Sequence, residues 1–192
     1  MTGYPVLTDG VWTNTPATSV IDSANVSFTT SADTDYWSRT HYGFVRDNGH
    51  LLGLDVAGDF TATVQAHGDY RDKYDQAGLM IRVDADNWLK CGIEYVDGVA
   101  FLSAVATTNG FSDWSVSPTA MPDWLGIRLT RVGDSVSVEF APDDAEWRLA
   151  RLAYLVPAAT AAIGPMACSP DGTGFSVQFR EFAIGAAEEQ PH

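Results

Sequence analysis

From Phe60 to Ile184 the chain is a succession of short runs rich in β-branched and aromatic residues, each closed by Gly, Asn, Asp or Pro. Few windows carry the period of an amphipathic helix, so the segments read as strands. The expected strands are Phe60 to His67, Gln76 to Val83, Trp88 to Val96 and Ala100 to Ala106. They continue with Trp124 to Val132, Ser135 to Phe140, Trp147 to Leu155, Thr160 to Cys168 and Gly174 to Ile184. Turn chemistry separates them at Asp84-Ala85-Asp86-Asn87, Asp97-Gly98, Gly133-Asp134, Pro142-Asp143-Asp144 and Asp171-Gly172. Regular short strands of this kind predict an all-β fold, a two-sheet sandwich or a jelly roll. With 192 residues the chain is long enough to close its core as one domain, expected over residues 1–185. The first forty residues, rich in Thr, Ser and Asp, read as an edge strand plus loops, and residues 186–192 as a frayed tail.

Alternation assigns faces. Leu125, Ile127 and Leu129 point one way and Gly126, Arg128 and Thr130 the other. After Gly133-Asp134, Val136, Val138 and Phe140 face inward while Ser135, Ser137 and Glu139 face out, a hairpin with one wet face. The ribbon of Gln76 to Arg82 and Trp88 to Glu94 is more informative. Its core set is Ala77, Leu79, Ile81, Leu89, Cys91 and Ile93. Gln76, Gly78, Met80 and Arg82 then share the other face with Trp88, Lys90, Gly92 and Glu94.

Register follows by elimination. Pairing Val83 with Trp88 mixes the two faces. Pairing Asp84 with Trp88 sets Arg82 opposite Lys90, a like-charge contact. Pairing Arg82 with Trp88 sets Gln76 opposite Glu94 and lets the guanidinium stack on the indole, worth about 0.5–1 kcal/mol when exposed. That register also places Gly78 against Gly92, where either a ligand or a covering loop comes close.

These residues carry a resemblance. Tyr74-Asp75-Gln76-Ala77-Gly78-Leu79-Met80-Ile81-Arg82 with Asn87-Trp88-Leu89-Lys90-Cys91-Gly92-Ile93-Glu94-Tyr95-Val96-Asp97-Gly98 resembles the regulation-of-enolase family, a group of concanavalin-A-like domains. Asp35-Tyr36-Trp37-Ser38-Arg39-Thr40-His41-Tyr42-Gly43-Phe44, Arg46-Asp47-Asn48-Gly49-His50 and Ser112-Asp113-Trp114-Ser115 fit it as well. The resemblance spans about Asp35 to Ile184 and implies a concanavalin-A-like jelly-roll β-sandwich of two antiparallel sheets, one of them concave. It implies little about chemistry, because fold does not fix function.

Composition narrows the partners. A formal charge of −14 and a pI near 4.3 argue against nucleic acid and anionic membranes, whose binding needs a basic stripe. No run approaches the roughly 20 apolar residues of a membrane helix, and the amino terminus lacks the basic flank and apolar run of a secretory signal. Only Cys91 and Cys168 are present, each in an apolar run, so free buried thiols and a cytoplasmic location are expected. No cofactor is called for. His41, His50, His67 and His192 lack metal-ligand spacing, and Asp84 to Asn87 reads as a turn rather than a calcium loop.

Three functional readings stay open. The first is carbohydrate binding or cleavage on the concave face, with Trp37, Trp88 and Trp114 stacking on sugar rings and Gln76 and Glu94 taking hydroxyls. The alternative for each Trp is to fill a gap in the core or a loop. Cleavage needs a second acid, for which Asp113 and Asp47 are candidates, because no Asp or Glu lies two residues from Glu94. The second is a small-molecule enzyme or binder in which Arg82 and Lys90 take anionic groups and His41 assists Glu94 as acid–base. The third is a protein-interaction module presenting exposed Trp and Arg.

Overall fold

The computed structural model describes residues 3–188. One seven-stranded antiparallel sheet runs, edge to edge, β1 (Val11–Thr13), β6 (His50–Ala57), β15 (Thr160–Cys168), β8 (Gln76–Arg82), β9 (Trp88–Val96), β10 (Val99–Thr108) and β11 (Phe111–Thr119). The other runs β14 (Arg148–Tyr154), β13 (Ser135–Pro142), β12 (Leu125–Val132), β7 (Phe60–Gly68), β16 (Ser176–Gly185), β3 (Val26–Thr29) and β2 (Ser19–Ile21). A small hairpin, β4 (Tyr36–Ser38) with β5 (Val45–Asp47), forms a two-stranded sheet of its own. No helix among the described residues is long and apolar enough to cross a membrane.

Every strand expected from the sequence is present, with ends within two residues of those expected. The stretch read as one edge strand plus loops instead builds four strands. β1 and β2 edge the two sheets, β3 lies inside β2, and β4 opens the small hairpin. β6 and β11 are further strands that the pattern had not marked.

The core lies between the sheets. Leu79, Ile81, Leu89, Cys91 and Ile93 meet Leu125, Ile127, Leu129, Val136, Val138 and Phe140, as alternation requires. The other face of β12 and β13 is drier than expected. Arg128 grips Glu139 through two bonds, Nε to Oε2 at 2.8 Å and Nη2 to Oε1 at 2.7 Å, and lies 4.7 Å from the Trp147 ring centroid. Ser137 and Glu139 are both buried. At the carboxyl end, Glu188 donates its N–H to Thr61 Oγ1 and its carboxylate accepts from Arg128, while residues 189–192 of the expected tail lie outside the described residues.

Candidate functional site

β8 and β9 pair Arg82 with Trp88, Met80 with Lys90, Gly78 with Gly92 and Gln76 with Glu94, the register chosen from parity and charge. β10 adds Ser103, Val105 and Thr107 to the same face, opposite Gly92, Lys90 and Trp88, and β11 adds Ser112 and Trp114. The facing glycines have neither of the causes expected. A Cβ on Gly78 would strike the Cys91 carbonyl oxygen, and one on Gly92 the Ala77 carbonyl oxygen. The two backbones themselves approach too closely for any side chain.

The β4–β5 hairpin lies over this face. Ser38 fixes it to the β10–β11 turn region, donating its N–H to Ser112 Oγ at 2.9 Å and its hydroxyl to the Gly110 carbonyl at 2.7 Å. Asp35 fixes it to β9 by accepting from Lys90 Nζ at 3.0 Å. One end of the face is thereby sealed. Tyr36, Leu51, Met80, Trp88, Met166 and Cys168 pack there as a second apolar cluster. Trp88, proposed above for stacking on a ligand, is buried, lies 6.0 Å from Tyr36 and donates Nε1–H to the Ala85 carbonyl. Arg82 stacks over Tyr36, at 5.7 Å, instead of the expected Trp88. Both arms of its fork are taken by Asp47, with Nη2 to Oδ2 at 2.8 Å, so Arg82 is occupied rather than offered to an anionic ligand.

The other end opens into a cavity of about 230 Å³. Gln76, Lys90 and Glu94 form its polar floor, and Trp37, Tyr42, Phe44, Tyr74 and Trp114 its aromatic walls. Asp35, Arg46 and Asp171 complete the polar lining. Two walls come from the hairpin turn, where Tyr42 and Phe44 stack at 5.6 Å and Trp37 meets Tyr42 edge-on at 5.6 Å. Tyr74, just before β8, sits at φ 66°, a left-handed conformation unfavourable for so large a residue. Its N–H is held by the Tyr95 carbonyl at 2.7 Å, so the ring is set against the cavity by a strained backbone.

Glu94 is the most constrained group. Its Oε2 accepts from Ser103 Oγ at 2.7 Å and from Trp114 Nε1 at 2.9 Å. Oε1 has no protein donor among the described residues, although Glu94 is only 6% exposed. Burial lifts its pKa above the ordinary carboxylate value, against the pull of Ser103, Lys90 and Trp114. Gln76, 8% exposed, likewise has no side-chain partner among the described residues. Burial disfavours the Lys90 ammonium, yet Asp35, with Cys168 and Glu94 behind it, raises its pKa overall and keeps it charged.

Of the residues singled out from the sequence, Trp37, Gln76, Lys90, Glu94 and Trp114 therefore meet at one cavity. Arg82 and Trp88 lie at the sealed end. Asp113 faces away, paired with Arg151 at 3.1 Å, and Asp47 is held by Arg82. His41 is exposed in the hairpin turn, its ring 4.7 Å from Tyr42, and does not line the cavity. Asp35, Tyr42, Phe44, Arg46, Tyr74 and Asp171 were not singled out as site residues. Asp84 to Asn87 is a turn, with Asp84 Oδ1 accepting from Asp86 N–H and Asn87 Nδ2. No group of three or more potential metal ligands occurs among the described residues.

Two seven-stranded antiparallel sheets with a roofed, aromatic-walled face define a concanavalin-A-like β-sandwich protein. The chain belongs to the family described as "Protein of unknown function (DUF1349)", whose pattern matches residues 12–187. It is 41% identical over 183 residues to "Regulation of enolase protein 1" of Saccharomyces cerevisiae, covering 94% of this chain and 91% of that protein. A crystal structure of a functionally unknown protein from Saccharomyces cerevisiae superposes with a TM-score of 0.91 at 39% identity, over 96% of this chain and all of that one. A xylan β-1,4-xylosidase from Bacillus halodurans shares the fold at 12% identity, with a TM-score of 0.64 over 83% of this chain and 32% of the enzyme.

Proposed function

We propose that the cavity binds one small polyhydroxylated ligand, about a single saccharide ring in size. One observation carries this reading: Glu94 and Gln76, side chains otherwise largely buried, line the cavity and keep hydrogen-bonding capacity that no protein group uses among the described residues. Polar atoms that reach an enclosed cavity in this way are completed by water or by a ligand. Aromatic walls suit the apolar face of a sugar ring, and a floor of acid, amide and ammonium suits its hydroxyls. The volume lies below the roughly 300–1,000 Å³ of drug-sized sites, which limits the ligand to one ring or a short part of a chain. Free buried thiols suit a reducing compartment, in keeping with cytoplasmic metabolite binding.

Thermal-shift titration with a panel of neutral mono- and disaccharides tests the proposal. A binder at about a hundred times its Kd adds roughly 2.7 kcal/mol of stability. Trp114→Ala and Gln76→Ala should each abolish the shift while leaving a cooperative melt. Absence of any shift across the panel would overturn the reading.

A second reading, general acid catalysis by Glu94, is favoured by the burial that raises its pKa and by Asp35 in the same cavity. It requires turnover of a glycoside that Glu94→Gln abolishes.

A further inference from the structure

The charge arrangement around the floor carries the saccharide reading one step further. Of the two basic groups lining the cavity, the buried one, Lys90, is ion-paired, and the exposed one, Arg46, is bonded to a backbone carbonyl. Lys90 Nζ is 3.0 Å from Asp35 Oδ1, and both side chains are largely buried. The Arg46 guanidinium lies 5.7 Å from the Phe44 ring centroid and donates Nη1–H to the Asp33 carbonyl at 3.2 Å. Three carboxylates line the same cavity: Asp35, Glu94 and Asp171. Asp35 is matched by Lys90. Glu94 makes no ion pair among the described residues, and its bonds to Ser103 and Trp114 come from neutral donors through one oxygen only. Glu94 therefore lines the cavity with Oε1 free of protein donors among the described residues, beside Trp114, Trp37 and Tyr74, and the cation nearest in influence, Lys90, is already bonded to Asp35.

We infer that the ligand presents a protonated amine to Glu94 Oε1, which makes an amino sugar the favoured class of saccharide. A charged donor suits a desolvated carboxylate better than a hydroxyl does, because charge-assisted hydrogen bonds are roughly twice as strong as neutral ones. An anionic sugar is disfavoured on both scales: the floor's ammonium is already paired, and the whole chain carries a formal charge of −14 that draws cations and repels anions. Gln76, opposite Glu94 across the ribbon, remains for a ring hydroxyl.

This inference rests on the saccharide reading, and the experiment separates the two. Glucose, glucosamine, N-acetylglucosamine and glucuronate are titrated against the full-length protein by calorimetry, at a pH where the free amine is protonated. The expected result is glucosamine binding about tenfold tighter than glucose, with N-acetylation erasing the gain and glucuronate weakest. Glu94→Gln should erase the preference for glucosamine over glucose, read as the ratio of the two affinities in the variant. Equal affinity for glucose and glucosamine in the unaltered protein would overturn the inference and leave the saccharide reading standing. An amine preference that survives Glu94→Gln would overturn the assignment to Glu94. Failure of all four sugars to bind would remove the inference together with the reading beneath it.

Discussion

Lys90 Nζ lies 3.0 Å from Asp35 Oδ1, joining a central strand of the first sheet to a hairpin 55 residues earlier in the chain. The ammonium side chain is 4% exposed and the carboxylate 16%, so this is an ion pair withdrawn from water. Removing one member of such a pair leaves the other uncompensated. Asp35→Ala should destabilise the protein by about 3–5 kcal/mol, read from the urea midpoint at constant slope. A loss under about 1 kcal/mol would place the pair with ordinary exposed ones.

Glu94 should make its presence felt through pH. Burial, the largest influence, raises its pKa in the folded state, while Ser103, Lys90 and Trp114 lower it and Asp35 raises it. Asp171, Arg46 and Tyr74 also line the cavity it faces. A raised folded value means that the stability contributed by Glu94 is full below its unfolded value, about 4.3, and is lost as pH rises through the folded value. Glu94→Gln, which cannot ionise, should therefore be more stable than the parent at neutral pH, with the gap closing as pH falls toward 4. Chemical denaturation at several pH values measures it, and a Gln variant less stable at neutral pH contradicts the assignment.

His50 should act in the opposite sense. Its Nε2 accepts the Ser31 N–H at 2.9 Å, which leaves the proton on Nδ1 to reach the Asn14 carbonyl at 2.6 Å. Burial is the main cause of its lowered pKa, with the Asn14 bond opposing. Its contribution to stability is present above the unfolded value, about 6.5, and is lost as pH falls through the folded one. NMR titration of the ring should show one neutral tautomer persisting below pH 6.5. A ring that protonates at or above that value excludes the arrangement.

Gly92 is fixed by the approach of the facing strand. A methyl group there would enter the Ala77 carbonyl oxygen, and backbone cannot yield as a flexible side chain does. Gly92→Ala should destabilise by about 1–3 kcal/mol or more, the range of overpacked interiors. Gly98→Ala offers a contrast: its Cβ meets open space, but its φ of 89° confines the loss to backbone strain. Equal losses at both positions would deny the close approach.

The ribbon of β8 and β9 was legible because its signals are local. Strict alternation separated Leu79, Ile81, Leu89, Cys91 and Ile93 from Gln76, Met80, Lys90 and Glu94, and one like-charge clash discarded the rival register. β6 was readable in principle, since Leu52, Leu54 and Val56 alternate around Gly53 and Asp55. β11 was harder: Phe111–Thr119 mixes Ser, Trp, Val and Pro, and most of it is exposed. The roof was beyond reach. That Tyr36 covers Trp88, that Asp47 occupies Arg82 and that Asp35 engages Lys90 are long-range facts, and periodicity reports only which way a side chain points. Hence Trp88 and Lys90 looked alike from the sequence, although one is sealed in and the other floors a cavity.

Because β4 and β5 join neither seven-stranded ladder, the covering hairpin is a separate component resting on a frame that closes without it. Its turn, 39–44, supplies Tyr42 and Phe44 to the cavity while the supporting strands are spaced and aligned elsewhere. The cavity is thus written in separate stretches of the chain, its ceiling in the turn and its floor of Gln76, Lys90 and Glu94 in the ladder. Exchanges in that turn would recast the ceiling residue by residue while the ladder underneath keeps its shape.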